Sequence, residues 1–178
     1  MQSKINKIII LGGCGFLGIE TAKILNKNNY KIVLVDLPYK KNICPQHIEF
    51  IGLDLLDINI EERLKISKND IVINLASRQY LDKVPYFNRQ NWFDKMNYIL
   101  PIKFLDLSIK NKALGYIFFS TDMVYGNPKS LPVNETCLLN PIAEYGISKS
   151  KSEKLLIKKA LGKIPLTIFR PRLISGPG

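Results

Sequence analysis

The sequence predicts an α/β fold in which helices cover both faces of a doubly wound parallel sheet. Short apolar runs alternate with segments of helical periodicity, which is the pattern of βαβ units. Several runs are apolar at nearly every position, as strands buried on both faces should be. A glycine-rich turn, "GGCGFLG", joins the first apolar run to the first helical segment. Together these observations favour a complete nucleotide-binding unit.

The predicted elements follow one another in regular order. Six strands are expected, near residues 7–12, 31–36, 48–51, 70–75, 114–120 and 166–170. Four helices are expected between them, at roughly 16–28, 59–66, 91–111 and 142–162. Pro101 lies inside the third of these helices and should kink or split it, because proline lacks the backbone N–H that a helix uses. The stretch from Gly126 to Pro141 is rich in turn residues and is predicted to be a long loop of the kind that often carries function.

Length and composition restrict the class of protein. A chain of 178 residues with 46% hydrophobic residues can bury one good core, so residues 1–178 are expected to form a single domain. The longest apolar runs are far shorter than a membrane span, and the N-terminus lacks the apolar stretch of a signal peptide. We therefore expect a cytoplasmic protein with no membrane partner.

Cysteine spacing and charge argue against a metal centre and against nucleic-acid binding. Cys14, Cys44 and Cys137 lie far apart without metal-ligand spacing, so no bound metal is expected. The net charge of +11 could indicate a nucleic-acid surface, but 21 of the 26 basic residues are lysines scattered along the chain. Arginine is the usual reader of bases and phosphates. The lysines between Lys149 and Lys163 are therefore interpreted as the solvated face of a helix.

The glycine-rich turn can be read in two registers. Gly13, Gly15 and Gly18 satisfy G-x-G-x-x-G, whereas Gly12, Gly15 and Gly18 satisfy G-x-x-G-x-x-G. In either register the glycines permit a tight turn and let backbone amides approach a pyrophosphate without a Cβ in the way. The helix that follows would direct its positive N-terminal end at the same phosphates. The turn therefore predicts a dinucleotide-binding loop.

An acidic residue ends the second predicted strand. Asp36 lies 18 residues after Gly18, where a carboxylate can accept hydrogen bonds from both hydroxyls of an adenosine ribose. The same carboxylate would repel a 2′-phosphate, so NAD is favoured over NADP. Lys40 and Lys41 follow closely and keep NADP open as the less favoured cofactor.

A tyrosine and a lysine at helical spacing suggest proton transfer. "EYGISK" places Tyr145 and Lys149 four residues apart, on one face of the last predicted helix. A nearby lysine ammonium stabilises a tyrosine phenolate and lowers the pKa of the tyrosine. The pair could then exchange a proton with a substrate hydroxyl while hydride moves to or from a nicotinamide.

These motifs together resemble the extended short-chain dehydrogenase/reductase family, which has a Rossmann-type fold and includes nucleotide-sugar epimerases, dehydratases and reductases. "NLAS", residues 74–77, resembles the family's "HLAA" beside the cofactor, and "DL", residues 54–55, resembles its adenine-side motif. Asn97 stands at the asparagine of the family's "N-V-x-G-T". The resemblance implies cofactor binding by Gly12, Gly15, Phe16, Leu17, Gly18, Asp36, Asp54, Leu55, Leu75, Ala76, Ser77, Asn97, Tyr145 and Lys149.

The stretch "FFSTDMVYG" resembles the family's active-site strand, "S-S-x-x-V-Y-G". The resemblance implies that Thr121 bonds the reacting substrate oxygen alongside Tyr145, with Ser120 as support; the catalytic set is then Thr121, Tyr145 and Lys149. Sugar 4,6-dehydratases carry "T-D-E-V-Y-G", whose acidic pair eliminates water. Met123 stands at the place of that Glu, so dehydration is disfavoured despite Asp122.

The end of the chain favours one branch of the family. "FRPRLISGPG" resembles the epimerase pattern "R-P-x-x-x-x-G-P-G", which makes an NAD-dependent nucleotide-sugar epimerase the first choice. A nucleotide-ketosugar reductase is the second, because "STDMVY" also resembles the "S-T-D-Y-V-F" of deoxysugar reductases. Family members usually continue into a C-terminal substrate-binding part, so the resemblance leads us to expect that this part is missing here. The resemblance also implies a homodimer through the helix near 91–111.

Two other classes of function stay open. The chain could be a truncated, non-catalytic NAD-binding module that binds the dinucleotide and no sugar. Alternatively, "SRQYLDKVPYFNRQNWF", residues 77–93, mixes basic and aromatic groups as nucleic-acid stacking surfaces do. The favoured interpretation of that segment is a loop after the fourth strand that lines the site, so no nucleic-acid partner is expected.

Overall fold

A computed structural model describes residues 5–128 and 130–176. Six parallel strands form one sheet with the order β3-β2-β1-β4-β5-β6. Their bounds are β1 Ile8–Leu11, β2 Ile32–Asp36, β3 Glu49–Gly52, β4 Ile71–Asn74, β5 Gly115–Phe119 and β6 Leu166–Phe169. All six predicted strands and the Rossmann-type doubly wound sheet are confirmed. Because the chain crosses from β3 at one edge to β4 beside β1, a crevice opens at the carboxyl ends of β1 and β4.

Five α-helices connect the described strands: α1 Phe16–Lys27, α2 Ile60–Arg63, α3 Arg89–Asp94, α4 Leu100–Lys110 and α5 Glu144–Ala160. A π-helical segment, Lys95–Ile99, joins α3 to α4. Short 3₁₀ helices at Pro38–Ile43 and Asp122–Tyr125 were not predicted. Within the residues described, none of these helices has both the length and the apolar character needed to cross a bilayer.

Alternation along β1 explains why the strand is apolar throughout. Ile9 and Leu11 enter the core on the α4 and α5 side of the sheet, while Ile8 and Ile10 enter the core on the α1 side. All four side chains are buried. A strand covered on both faces has no solvent side, so it needs no polar residue at any position.

The second predicted helix is shorter than expected, because α2 ends at Arg63 rather than near residue 66. Leu64 has an extended backbone, and Leu64 and Ile66 are both buried. An extended chain directs alternate residues to one face, so leaving the helix buries both side chains. The fifth helix begins at Glu144 rather than 142, because Ala143 is extended.

Pro101 interrupts its helix in a particular way. The polypeptide stays helical on both sides of Pro101, but the type of helix changes: the π-helical segment Lys95–Ile99 comes directly before α4. Pro101 cannot donate to the carbonyl of Asn97, four residues earlier. The hydroxyl of Ser152, on α5, donates to that carbonyl instead. The freed acceptor is therefore satisfied by a side chain from the neighbouring helix.

Candidate active site

A cleft of about 980 Å³ lies at the carboxyl ends of the central strands. Within the described part of the chain, every predicted cofactor residue except Asn97 lines it. Tyr145 and Lys149, the predicted proton-transfer pair, line the same cleft as the glycine loop. The tertiary structure thus brings the separate motifs of the sequence to one place.

The glycine loop resolves the choice between the two registers. Gly12 has a φ of +72°, and a Cβ there would lie 2.8 Å from the backbone of Ala76. Gly15 is the N-cap of α1, and a Cβ there would meet the carbonyl oxygen of Gly12 at 3.4 Å. A Cβ on Gly18 would lie 2.5 Å from the carbonyl oxygen of Gly13. Gly13 is packed as tightly, because a Cβ there would lie 2.7 Å from the Leu34 side chain, but Gly13 does not line the cleft. The three glycines of the loop that line it are Gly12, Gly15 and Gly18, which is the G-x-x-G-x-x-G register.

Asp36 is buried at the end of β2 and holds the glycine loop. Its Oδ2 accepts a hydrogen bond from the backbone N–H of Cys14 at 3.0 Å, and its Oδ1 accepts one from the N–H of Leu37 at 2.8 Å. The Nζ of Lys40 lies 3.4 Å from Oδ1. The carboxylate faces the cleft already oriented by the backbone, and Lys40 offsets part of its charge.

Asn97 does not line the cleft in this structure, so its contact with a cofactor stays a prediction. Its side chain is fully buried, and its Oδ1 accepts hydrogen bonds from the N–H of Arg78 at 2.8 Å and from the hydroxyl of Ser77 at 3.3 Å. Its Nδ2 donates to the carbonyl of Arg78 at 2.9 Å and to Ser148 at 3.3 Å. Asn97 therefore positions Ser77, which does line the cleft, from behind.

Lys149 is a buried cation beside the site. Its Nζ donates to the carbonyl oxygen of Phe119 at 2.7 Å and lies 4.7 Å from the centre of the Phe118 ring. Burial lowers the pKa of Lys149 to about 7, and the negative charge of Glu153 acts in the opposite direction. The Lys149 side chain can therefore change between ammonium and neutral amine near neutral pH.

The expected effect of Lys149 on Tyr145 is absent from this structure. Burial raises the pKa of Tyr145 above its ordinary value; the neighbouring Ser77 hydroxyl lowers it, and the carboxylate of Asp122 raises it further. The Nζ of Lys149 lies 5.9 Å from the centre of the Tyr145 ring. The pKa of Tyr145 is thus raised in this structure, where the spacing of Tyr145 and Lys149 had predicted a lowered one.

Ser120 reaches the cleft wall, whereas Thr121 does not line it in the described residues. The hydroxyl of Thr121 accepts a hydrogen bond from the N–H of Met123 at 3.2 Å and donates one to Asp122 at 3.3 Å, so it caps the 3₁₀ helix Asp122–Tyr125. The Ser120 hydroxyl is buried and has no hydrogen-bond partner among the residues described. Ser120, which was expected only to support the site, thus reaches the cleft, whereas Thr121, which was expected to bond the substrate oxygen, caps a helix.

Two polar networks around α5 were missed by the sequence reasoning. Tyr80 donates from its hydroxyl to Glu144 at 2.9 Å, and the Nε of Arg89 donates to the same carboxylate at 2.7 Å. Arg170, directly after β6, pairs with Glu153 on α5 at 2.6 Å. The sequence carried one signal for the second network, because Glu153 continues the four-residue spacing of Tyr145 and Lys149.

Comparison with known proteins identifies the family. Residues 8–178 match the NAD dependent epimerase/dehydratase family. A putative UDP-glucose 4-epimerase of Methanocaldococcus jannaschii is 29% identical over 153 residues, which are 84% of this chain and 49% of the relative. A dTDP-D-glucose 4,6-dehydratase of Dictyostelium discoideum is 34% identical over 197 aligned residues, which cover 97% of this chain and 45% of the relative.

Solved structures agree with this assignment. The UDP-glucuronic acid 4-epimerase of Bacillus cereus in complex with NAD matches with a TM-score of 0.79 and 26% identity, covering 96% of this chain and 57% of that one. The UDP-glucose 4-epimerase of Thermotoga maritima with UDP-glucose matches with a TM-score of 0.80 and 28% identity, covering 92% of this chain and 54% of that one. The chain thus spans about half the length of the proteins it matches.

Proposed function

Because this chain belongs to the NAD dependent epimerase/dehydratase family, we propose that it acts as an NAD-dependent nucleotide-sugar epimerase by transient hydride transfer. The observation that carries the proposal is the shared cleft: Tyr145 and Lys149 face it together with the glycine loop and Asp36. A fold alone would not indicate chemistry, whereas a proton-transfer pair beside a dinucleotide loop does.

The residues of the cleft fit a dinucleotide. Gly15 is the N-cap of α1 and lines the cleft, and the backbone N–H groups and dipole of the helix N-terminus favour a pyrophosphate there. Asp36 would accept hydrogen bonds from the adenosine ribose, and its charge favours NAD over NADP. Lys40, paired with Asp36, would reduce the repulsion of a 2′-phosphate, so NADP is the weaker ligand rather than an excluded one.

NAD, when bound, supplies a hydride acceptor and later the hydride donor. Tyr145 would accept the proton of the sugar hydroxyl as it is oxidised and return it when the sugar is reduced on the other face. Lys149, with its pKa near 7, would bind ribose hydroxyls and stabilise the Tyr145 phenolate once the cleft is filled. Thr121 would orient the reacting oxygen after its hydroxyl leaves the cap of the 3₁₀ helix, and Ser120, which lines the cleft, would support it.

The side chain at position 123 bears on the choice of reaction. Met123 is 42% exposed and has no group that can transfer a proton, so elimination of water lacks one member of the acid and base pair. We therefore propose epimerisation in preference to the dehydration performed by the Dictyostelium relative. A nucleotide-ketosugar reductase is the second candidate, because it needs the same hydroxyls and tyrosine but no such pair.

The basic and aromatic segment 77–93 supports the proposal rather than nucleic-acid binding. Arg78 lies over the ring of Trp92 at 4.6 Å and donates to its carbonyl. Tyr80 and Arg89 are both engaged with Glu144 at the start of α5. These groups serve the architecture around Tyr145, which leaves few of them for stacking on bases.

Calorimetric titration of the 178-residue chain with NAD and with NADP tests the cofactor proposal. We expect NAD to bind more tightly than NADP, and Gly15→Val or Asp36→Ala to weaken or abolish NAD binding. Gly115→Ala is the matched control. Gly115 lies at the start of β5, and a Cβ there would meet its nearest neighbour at 3.6 Å, which is an ordinary contact. Absence of NAD binding by the folded chain would contradict the proposal.

Conversion of UDP-sugars into their epimers, followed by chromatography, tests the reaction. We expect Tyr145→Phe to abolish conversion while NAD binding remains. If the chain binds NAD but converts no sugar, the NAD-binding module is the better description. If sugar is consumed only with stoichiometric reduced cofactor, the reductase is.

A further inference from the structure

Lys149 has a potential counter-ion that it does not use. Glu153 lies four residues further along α5, the spacing at which helix ion pairs form, and it is fully buried. The Nζ of Lys149 nevertheless donates to the carbonyl of Phe119 at 2.7 Å. A buried carboxylate so close to a buried ammonium would ordinarily pair with it. Some other group must therefore hold Glu153.

Arg170 is that group. Its Nε lies 3.1 Å from Oε1 and 3.0 Å from Oε2 of Glu153, and its Nη2 donates to Oε2 at 2.6 Å. Both carboxylate oxygens are thus bound by one guanidinium, the geometry in which arginine binds carboxylates most strongly. Arg170 follows β6 directly, so this contact joins the end of a sheet strand to α5, one helical turn after Lys149.

The guanidinium is itself held in place from the opposite side. Its Nη1 donates to the hydroxyl of Tyr125 at 2.8 Å and to the carbonyl of Glu135 at 3.1 Å. Tyr125 ends the 3₁₀ helix that follows β5, and Glu135 comes after that helix and before α5. With these contacts Arg170 has little freedom to release Glu153.

We propose that Arg170 is a positioning residue that keeps Glu153 from pairing with Lys149 and so leaves the Lys149 ammonium free to bind ligand hydroxyls in the cleft. The inference rests on the proposed function, because it takes Lys149 as a ligand-binding group. Arg170 itself does not line the cleft in the described residues, so it acts through Glu153 and α5.

The charged surroundings of Lys149 make the proposal testable by titration. On α5, Glu153 and Tyr145 face Lys149, and on β5 the Phe118 ring and the Phe119 carbonyl face it. Arg170, the residue after β6, acts on Lys149 through Glu153. Asp122, on the short helix packed against α5, acts on the pKa of Tyr145. Loss of Arg170 would expose Lys149 to the full charge of Glu153, whereas loss of Glu153 would remove the one carboxylate that opposes the effect of burial.

The experiment follows the lysine Cε signals of the ¹³C-lysine-labelled chain by NMR across pH, with Lys149→Met to identify the signal of Lys149. The native midpoint is expected near the pKa of about 7. We expect Arg170→Gln to raise it by about one unit or more, Glu153→Gln to lower it, and Arg170→Lys, the charge-retaining control, to leave it within about half a unit. Calorimetry on the same variants should show NAD binding about tenfold weaker in Arg170→Gln than in Arg170→Lys.

Each alternative result has a definite meaning. An unchanged Lys149 midpoint in folded Arg170→Gln overturns the proposal. If that variant does not fold, Tyr125→Phe replaces it, because it removes one of the two groups that hold the guanidinium, and a Lys149 midpoint no higher than the native one then overturns the proposal. A shifted midpoint with unchanged NAD affinity overturns the part that concerns ligand binding. If the native chain binds no NAD, the cofactor proposal fails, and the titration still decides whether Arg170 controls the pairing of Lys149.

Discussion

Asp36 and Cys14 are joined by a hydrogen bond of 3.0 Å, in which the backbone N–H of Cys14 donates to the buried carboxylate. The bond links the end of β2 to the middle of the glycine loop. A residue expected to bind ribose therefore also sets the shape of the loop that would bind the pyrophosphate. Substitutions of Asp36 can separate these two tasks.

Asp36→Ala is expected to lower the free energy of unfolding by about 1–3 kcal/mol, because two backbone N–H groups lose a buried acceptor. NAD binding should weaken as well. Asp36→Asn keeps an oxygen acceptor, so it should be more stable than Asp36→Ala while favouring NADP relative to NAD. Chemical denaturation and calorimetry measure the two effects; equal stability of the two variants would contradict the structural task.

Substituting two glycines of the loop is expected to have different effects, one on NAD affinity and one on stability. A Cβ on Gly15 meets its nearest neighbour at 3.4 Å, so Gly15→Ala should fold normally and lose about tenfold or more in NAD affinity. A Cβ on Gly18 would lie 2.5–2.8 Å from the backbone of Gly13, so Gly18→Ala should lose about 1–3 kcal/mol of stability. Thermal unfolding and calorimetry check both variants, and the reverse pattern would refute the assigned register.

Lys149→Met is expected to stabilise the chain at neutral pH by about 1–3 kcal/mol, because it removes a buried ammonium. The pKa of Lys149 is lowered from 10.5 to about 7, so the charged lysine opposes folding in full below pH 7. This opposition fades as pH rises from 7 to 10.5. The stability difference between variant and native chain should therefore be largest below pH 7 and shrink above it. Denaturation at several pH values measures the difference, and a constant gap would contradict the assignment.

Glu144 predicts acid sensitivity at the start of α5. The ion pair with Arg89 lowers the pKa of Glu144 from 4.5 to about 2, with further hydrogen bonds from its own backbone N–H and the Tyr80 hydroxyl. A lowered carboxylate pKa stabilises the fold above pH 4.5, and this contribution is lost as pH falls toward 2. Glu144→Gln should thus melt at a lower temperature than the native chain at pH 7, with a gap that narrows in acid. Tyr80→Phe, which leaves the Arg89 pair intact, should show a smaller gap of the same kind.

Ser152→Ala tests the π-helical segment beside Pro101. The Ser152 hydroxyl donates to the Asn97 carbonyl, which Pro101 cannot serve. The variant should lose about 1–3 kcal/mol, because a buried acceptor is left without a partner. Ser108→Ala is the matched control: its hydroxyl donates to the Phe104 carbonyl inside α4, which the helix already pairs. Equal losses in urea denaturation would show that the Asn97 carbonyl has another donor.

The strands and the main helices could be predicted because their signals are local. Ile8–Leu11 and Ile32–Asp36 are apolar in almost every position, and a strand buried on both faces has no other pattern. The glycine loop and Asp36 were likewise visible, since a turn without side chains and a strand-end carboxylate are constraints on single residues. The early end of α2 was not, because it depends on the core that buries both Leu64 and Ile66, and residues two positions apart reach one face only when the chain is extended.

The residues of the candidate site also fall into those that the sequence could predict and those that depend on the fold. From the sequence alone one could identify the glycines, Asp36, and Tyr145 four residues before Lys149. Only the folded chain shows that Gly12 rather than Gly13 lines the cleft, that Asn97 lies behind its wall, and that Thr121 caps a helix. Folding also brought Arg170 to Glu153 and Tyr80 to Glu144. Residues 17 and 64 positions apart meet only when the sheet orders its strands, and the pKa of a buried group depends on those distant neighbours, which no local pattern encodes.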